Sequence, residues 1–194
     1  KVINTGGGFG IRYTEDDEPI PASDFVAAII DTIAEKTTEY GMPMPAVWIE
    51  PGRSIVGPAG VSLYTIGSRK DVPGIRSYLA VDGGMGDNIR PALYQAKYEA
   101  VLVNQPDAPT EEVVRVAGKY CESGDVLVWE QALPKTKAGD VLAVLATGAY
   151  GYSMASNYNR NPRPAVVFVE NGEARVVVER ESYQDIVRLD RHYL

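Results

Sequence analysis

Apolar positions along the first fifty residues follow two different periods. Val2-Ile3-Asn4 and Ala46-Val47-Trp48-Ile49 are short runs of strand length, whereas Phe25, Ile29 and Ile33 recur every fourth residue with Val26 and Ile30 beside them, which is the spacing of one helical face. The pattern predicts a helix over 21–40, capped at its start by Ser23 or Asp24 and closed by Gly41. Strand, helix and strand, each followed by its loop at the same end, make a βαβ unit, which needs a parallel sheet or barrel around it. A complete eight-stranded barrel takes about 250 residues, so residues 1–58 are read as the last part of one.

Beyond Arg53 the period shortens. Runs at 61–66, 77–81, 98–103, 112–116, 126–129 and 141–145 are strand-like, and 165–169 and 174–178 flank Asn171-Gly172, a hairpin signal. Residues 59–194 are therefore expected to form a mainly antiparallel β domain, and the fold class is an α/β barrel remnant followed by that domain.

Composition narrows the function classes. With 19 basic and 26 acidic residues in 194 the net charge is -7 and no basic stripe occurs, which argues against nucleic acid or an anionic membrane as partner. No apolar run approaches the roughly 20 residues of a membrane span, and a cytoplasmic location is expected. Cys121 is the only cysteine, so an internal disulfide and a zinc site of several thiolates are excluded, and no metal is expected. The chain opens at Lys1 with a short strand that has nothing before it to pair with, from which a fragment of a longer polypeptide is expected.

Candidate chemistry sits where strands stop. Glu50-Pro51-Gly52-Arg53 follows the strand at 46–49 and combines a carboxylate, a turn that lets backbone come close to a ligand, and a guanidinium suited to planar oxyanions. It is either an anion site or a turn with a surface ion pair. Thr5-Gly6-Gly7-Gly8-Phe9-Gly10-Ile11 is either a nest of N–H groups for a phosphate or a flexible turn. Ile11 removes it from the dinucleotide fingerprint. Three further stretches break the strand pattern: Asp82 to Tyr94, with Arg90 and Tyr94 four apart, Cys121-Glu122-Ser123-Gly124-Asp125, and the aromatic, small-residue stretch from Gly148 to Asn159.

Taken in order, Gly6-Gly7-Gly8-Phe9-Gly10, Glu50-Pro51-Gly52-Arg53, Asp82-Gly83-Gly84-Met85 with Asn88-Ile89-Arg90-Pro91, Cys121-Glu122-Ser123-Gly124-Asp125 and Gly148-Ala149-Tyr150 resemble the motifs of the diaminopimelate decarboxylases. These enzymes join an alanine-racemase-like barrel to a C-terminal β domain and use pyridoxal 5'-phosphate. The resemblance implies that Gly7, Gly8, Pro51, Gly52 and Arg53 hold the cofactor phosphate with the Tyr150 hydroxyl nearby, and that Glu50 lies against the pyridine nitrogen. A proton kept there makes the ring an electron sink as carbon dioxide leaves. It further implies that Arg53, Arg90, Tyr94, Tyr150 and Glu122 bind the two ends of a diamino diacid, that Cys121 is the acid returning a proton to give lysine, and that Cys121 and Glu122 serve the partner's site in a head-to-tail homodimer.

One departure accompanies the matches. The lysine that holds the cofactor covalently and the histidine that stacks on its ring lie in the family's N-terminal half. Lys1, Lys36, Lys70, Lys97, Lys119, Lys135 and Lys137 have no matching context, and His192 is in the tail. The expected activity, decarboxylation of meso-2,6-diaminopimelate to lysine, thus belongs to a longer polypeptide. The alternatives are an ornithine- or arginine-type decarboxylase of the same fold, and a non-catalytic homologue or partner subunit. Alone, the chain is expected to behave poorly, because its barrel strands have open edges.

Overall fold

The computed structural model describes residues 1–191, and His192 lies outside them. Strand β1 (Val2–Asn4) runs parallel to β2 (Ala46–Trp48), with Val2 opposite Ala46. Helix α1 (Ala22–Glu39) crosses between them. Its start departs from expectation: Pro21 is the N-cap and no side chain caps the helix, because the Ser23 hydroxyl donates to Asp24 Oδ1 at 3.1 Å instead. Its end follows expectation. Gly41, at φ +61°, donates to Thr38 O while Met42 N–H reaches Thr37 O at 2.8 Å, the paired bonds of a Schellman motif. Phe25, Ala28, Ile29, Thr32 and Ile33 line an apolar hollow of about 310 Å³ with Thr5, a helix face without cover among the described residues. After β2 the chain makes a short helix that the apolar pattern did not signal, α2 (Gly52–Val56).

Six strands form the main sheet: β3 (Ser62–Val72), β4 (Arg76–Val81), β5 (Ala100–Leu102), β6 (Glu112–Ala117), β7 (Val126–Leu133) and β8 (Val141–Val144). They are ordered β5-β8-β3-β4-β6-β7. Every pairing is antiparallel except β4 with β6, so the sheet is mixed. Its two ends approach one another, and the Ala100 N–H donates to Gln131 Oε1 at 2.7 Å across the gap between β5 and β7. The sheet is therefore a nearly closed barrel, with helix α3 (Arg90–Tyr94) over β7.

Period-two alternation fills the interior. Tyr64 and Ile66 point inward and Leu63 outward, and Val114 and Val116 point inward with Val113 outward. Leu79, Val116, Leu142 and Val144 lose all solvent contact. Two strand lengths differ from the apolar runs. β3 continues six residues past Ile66 into a polar segment, kept in register by Arg69, which bridges Asp71 and Glu112. β5 keeps only 100–102 of the run 98–103, because Tyr98 is committed to Tyr13 and Arg90.

The Asn171-Gly172 turn closes the hairpin β9 (Val166–Glu170) and β10 (Glu173–Val178), with φ of +52° and +79° at the two turn residues. A capping box between Ser182 and Asp185 then starts α4 (Tyr183–Val187). Glu181 ties this end down: it accepts from Arg163 Nε at 2.9 Å, Nη2 at 2.6 Å and backbone N at 2.8 Å. Those bonds hold its carboxyl at about 2, below the ordinary 4.5. A depressed folded value stabilises above the unfolded one and is lost as pH falls through the folded one. We expect protease cleavage of the segment after β10 to accelerate as pH drops from about 4.5 toward 2, and the Glu181→Gln variant to show no such dependence. An unchanged pH profile in that variant would refute the tether.

Candidate functional site

The carboxyl ends of β1 and β2 are knitted into one structure. Thr5 N–H donates to Trp48 O at 3.0 Å and Glu50 N–H to Gly6 O at 2.7 Å. Asn4 serves both loops, accepting from Gly6 N–H at 2.8 Å and donating to Glu50 Oε1 at 2.6 Å. Glu50 is thereby oriented with one carboxylate oxygen bound and the other without a hydrogen-bond partner among the described residues. The glycines have steric reasons. A Cβ on Gly7 would lie 2.1 Å from the Glu50 carbonyl oxygen, and one on Gly52 would lie 2.8 Å from the Tyr150 hydroxyl. Gly7, Gly52 and Tyr150 thus converge on the Glu50 turn, although they come from three separate stretches. Gly8 is at φ +86° with open space around it.

The loop carrying Tyr150 is seated on the turn after α2. Thr147 N–H donates to Gly60 O at 2.9 Å and Gly148 N–H to Gly57 O at 3.1 Å. Backbones approach so closely that a Cβ on Gly148 would fall 1.9 Å from Val56 O. This contact fastens the β1–β2 unit to the barrel.

Beside the turn lies a cluster of arginine and tyrosine. Arg90 is 7 % exposed. Its Nε–H donates to Tyr98 Oη at 3.0 Å, and its guanidinium sits 5.3 Å from the Tyr94 ring centre and 6.0 Å from that of Tyr13. The Arg53 guanidinium lies 5.9 Å from the same Tyr13 ring. Neither arginine forms a salt bridge among the described residues. Arg53 Nε, Asn88 Nδ2 and Tyr13 Oη are buried without hydrogen-bond partners. Two cations with no counter-ion, next to orphaned donors, are an environment for an anionic ligand. Burial raises the Tyr98 phenol, while the Arg90 guanidinium pulls it down.

Cys121 and Glu122 stand apart from this cluster. Both are exposed, and Glu122 Oε1 accepts from the Tyr158 hydroxyl. Buried Asp125 holds their turn in place, accepting from Met85 N–H at 2.7 Å and Tyr120 N–H at 2.8 Å. A Cβ on Gly118 would meet its carboxylate at 2.2 Å and one on Gly84 at 2.6 Å. Burial raises the Asp125 carboxyl although those two N–H bonds lower it.

Of the residues singled out from the sequence, Gly7, Glu50, Gly52, Arg53 and Tyr150 are gathered at the strand ends, with Pro51 in the same turn, and Arg90 and Tyr94 lie with Arg53 around Tyr13. Among the described residues no hydrogen bond or ion pair links Cys121 or Glu122 to that group, and the Glu122 carboxylate is engaged by Tyr158. Tyr13, Tyr98 and Asn4 were not singled out. The one sequence signal for the tyrosines was their spacing, Tyr13 three residues after Gly10 and Tyr98 four after Tyr94. A cavity of about 620 Å³ lies elsewhere, between Tyr152 to Arg163 and α4. No cluster of three metal-ligating side chains occurs among the described residues.

A glycine cradle, an oriented carboxylate and arginines without a carboxylate partner among the described residues, joined to a β barrel, make a domain whose donor set suits an anionic ligand. Residues 17–148 match the family model described as "Pyridoxal-dependent decarboxylase, C-terminal sheet domain", and the chain belongs to that family. It is 65% identical over 190 residues to the diaminopimelate decarboxylase of Bacillus subtilis, covering 98% of this chain and 43% of that protein. The crystal structure of the M. jannaschii diaminopimelate decarboxylase with L-lysine superposes with a TM-score of 0.91 at 37% identity, covering all of this chain and 43% of that one. The lysine/ornithine decarboxylase of Vibrio vulnificus with putrescine shares the fold at a TM-score of 0.69 and 24% identity, over 84% of this chain and 42% of that one. The chain thus spans less than half the length of the relatives it matches.

The residues present fit pyridoxal phosphate. Gly7 and Gly52 keep clear the space that side chains would close, Arg53 Nε is an unused buried donor, and Glu50 has a free carboxylate oxygen.

Proposed function

We propose that this chain is the part of a diaminopimelate decarboxylase that holds the cofactor phosphate and the substrate carboxylate. When bound, pyridoxal phosphate supplies the electron sink into which the bond to the departing carboxylate empties. Backbone N–H groups of Gly7, Gly8 and Arg53, in the turn set by Pro51, and the Tyr150 hydroxyl would bind the phosphate, whereas the Gly52 N–H, expected to join them, donates to Glu50 O at 2.9 Å. Glu50, steadied by Asn4, keeps a proton at the ring nitrogen. Arg53, Arg90 and Tyr94 bind the carboxylate at one end of the diamino diacid, and Glu122 binds an ammonium at the other. Cys121 donates the proton that replaces carbon dioxide.

The single observation that carries this reading is the pair Arg53 and Arg90, two guanidiniums without a carboxylate among the described residues, 5.9 and 6.0 Å from the Tyr13 ring centre beside the glycine cradle. Ornithine ends in an ammonium where the diacid carries its second carboxylate, so it would leave both cations unpaired, whereas the diacid supplies their partner. A site built for a polar group rejects the analogue lacking it, because its own groups are left unpaired. The full-length polypeptide is accordingly expected to have kcat/KM for meso-diaminopimelate at least about 100-fold above that for ornithine. The opposite preference would favour the ornithine-type reading.

The lack of any hydrogen bond or ion pair among the described residues between Cys121 or Glu122 and the arginine cluster, with Glu122 bonded to Tyr158, supports a site shared between subunits of a homodimer, with each subunit's Cys121 and Glu122 serving its neighbour. Mixed and refolded Cys121→Ala and Glu50→Gln full-length subunits should recover about a quarter of wild-type activity, from the one intact site in each hybrid. No recovery would place Cys121 in its own subunit's site. A cytoplasmic location is consistent with a lone, exposed thiol, and no helix among the described residues is long and apolar enough to cross a membrane.

A further inference from the structure

Buried arginines ordinarily recruit a carboxylate. Arg90 does not: the groups around its guanidinium are phenols, with Tyr98 Oη on Nε at 3.0 Å and the rings of Tyr94 and Tyr13 at 5.3 and 6.0 Å. Tyr13 is shared, lying 5.9 Å from the Arg53 guanidinium as well, and it meets Tyr98 edge to face at 5.3 Å. A protein carboxylate here would neutralise the cation and fill the fork that an incoming carboxylate needs. Aromatic faces attract the cation and leave its charge and its N–H groups available. With Nε engaged by Tyr98, the end-on pair of Nη atoms is the bidentate edge that remains.

We propose that Tyr98 and Tyr13 are positioning residues for the substrate carboxylate. Tyr98, by occupying Nε, fixes which edge of Arg90 meets the ligand. The Tyr13 ring, whose centre lies 5.9 Å from the Arg53 guanidinium and 6.0 Å from that of Arg90, sets the spacing of the two cations without neutralising either. The inference rests on the decarboxylase reading for the substrate's identity, and on the arginine cluster alone for the ligand's chemistry, an alkyl carboxylate.

The test uses the full-length, cofactor-loaded polypeptide, with pimelate as a non-reacting dicarboxylate probe in calorimetry and meso-diaminopimelate in steady-state assays. Tyr98→Phe should raise the pimelate Kd and the KM about tenfold. In the same variant kcat should stay within about threefold of wild type and the cofactor absorbance should not change, a split that a purely structural role would not produce. Tyr13→Leu should raise the Kd similarly, while Tyr13→Phe, which keeps the ring, should bind as wild type. In the background of Arg90→Lys, which has no Nε to engage, adding Tyr98→Phe should cost no further affinity. A wild-type Kd in Tyr98→Phe, additive losses with Arg90→Lys, or no pimelate binding by the wild type would each overturn the proposal. If Tyr98→Phe fails to fold, equal Kd values for Tyr13→Leu and Tyr13→Phe overturn it. Pimelate behaviour as expected with no lysine formed from meso-diaminopimelate would leave the positioning intact and refute the decarboxylase reading.

Discussion

Replacing Glu50 by glutamine in the full-length polypeptide is expected to lower kcat by about 100- to 1000-fold, the range seen when one preorganised electrostatic partner of the reacting group is removed. The shape of the side chain survives the change, so the Asn4 amide, which donates to Glu50 Oε1 at 2.6 Å, can still find the amide oxygen. The negative charge does not survive, and with it goes the preference for a proton at the ring nitrogen. Because Glu50 is exposed and forms no salt bridge among the described residues, folding stability should change by less than about 0.5 kcal/mol. Stopped-flow and steady-state assays with thermal unfolding separate the two effects. A kcat within threefold of wild type would remove Glu50 from the chemistry.

Gly148→Ala should produce the largest structural effect. Its added methyl would lie 1.9 Å from Val56 O and 3.0 Å from Gly60 N, both backbone atoms with no rotamer to yield. Gly148 N–H and Thr147 N–H also donate to Gly57 O and Gly60 O, so relief means breaking those bonds. Overpacking of this kind costs about 3 kcal/mol, which for a chain of this size lowers Tm by roughly 6–12 °C. Tyr150, two residues on, would be carried away from Gly52, and phosphate affinity should fall with it. Unchanged Tm and cofactor affinity would mean that the loop is not clamped as described.

Much of this was legible along the chain, for local reasons. The βαβ unit follows from apolar periods of two and four, the Schellman end of α1 from Gly41, and the β9–β10 turn from Asn171-Gly172, since each depends on residues close in sequence. What escaped depends on distant ones. The parallel pairing of β4 with β6 and the bridge from Ala100 to Gln131 that nearly closes the barrel join segments whose apolar patterns are equally compatible with a flat antiparallel sheet. Tyr98 reads as a strand residue by its neighbours, and only its 3.0 Å bond to Arg90 reveals its other use. The polar motifs at 6–10, 50–53, 88–91 and 121–125 were visible as punctuation, but their grouping followed only from the resemblance to a family, not from the residues themselves. Gly7, Gly52 and Tyr150 meet because of glycine clearances, whereas Cys121 and Glu122 are carried on the Asp125-held turn, where Glu122 meets Tyr158.

The most direct test of the central claim is a crystal structure of the full-length polypeptide with pyridoxal phosphate and lysine. The account predicts the phosphate against the backbone of Gly7, Gly8 and Arg53 and the Tyr150 hydroxyl, the free Glu50 oxygen within hydrogen-bond distance of the ring nitrogen, and the lysine beside Arg53 and Arg90. Phosphate density bound elsewhere, with the glycine cradle filled by protein, would contradict it.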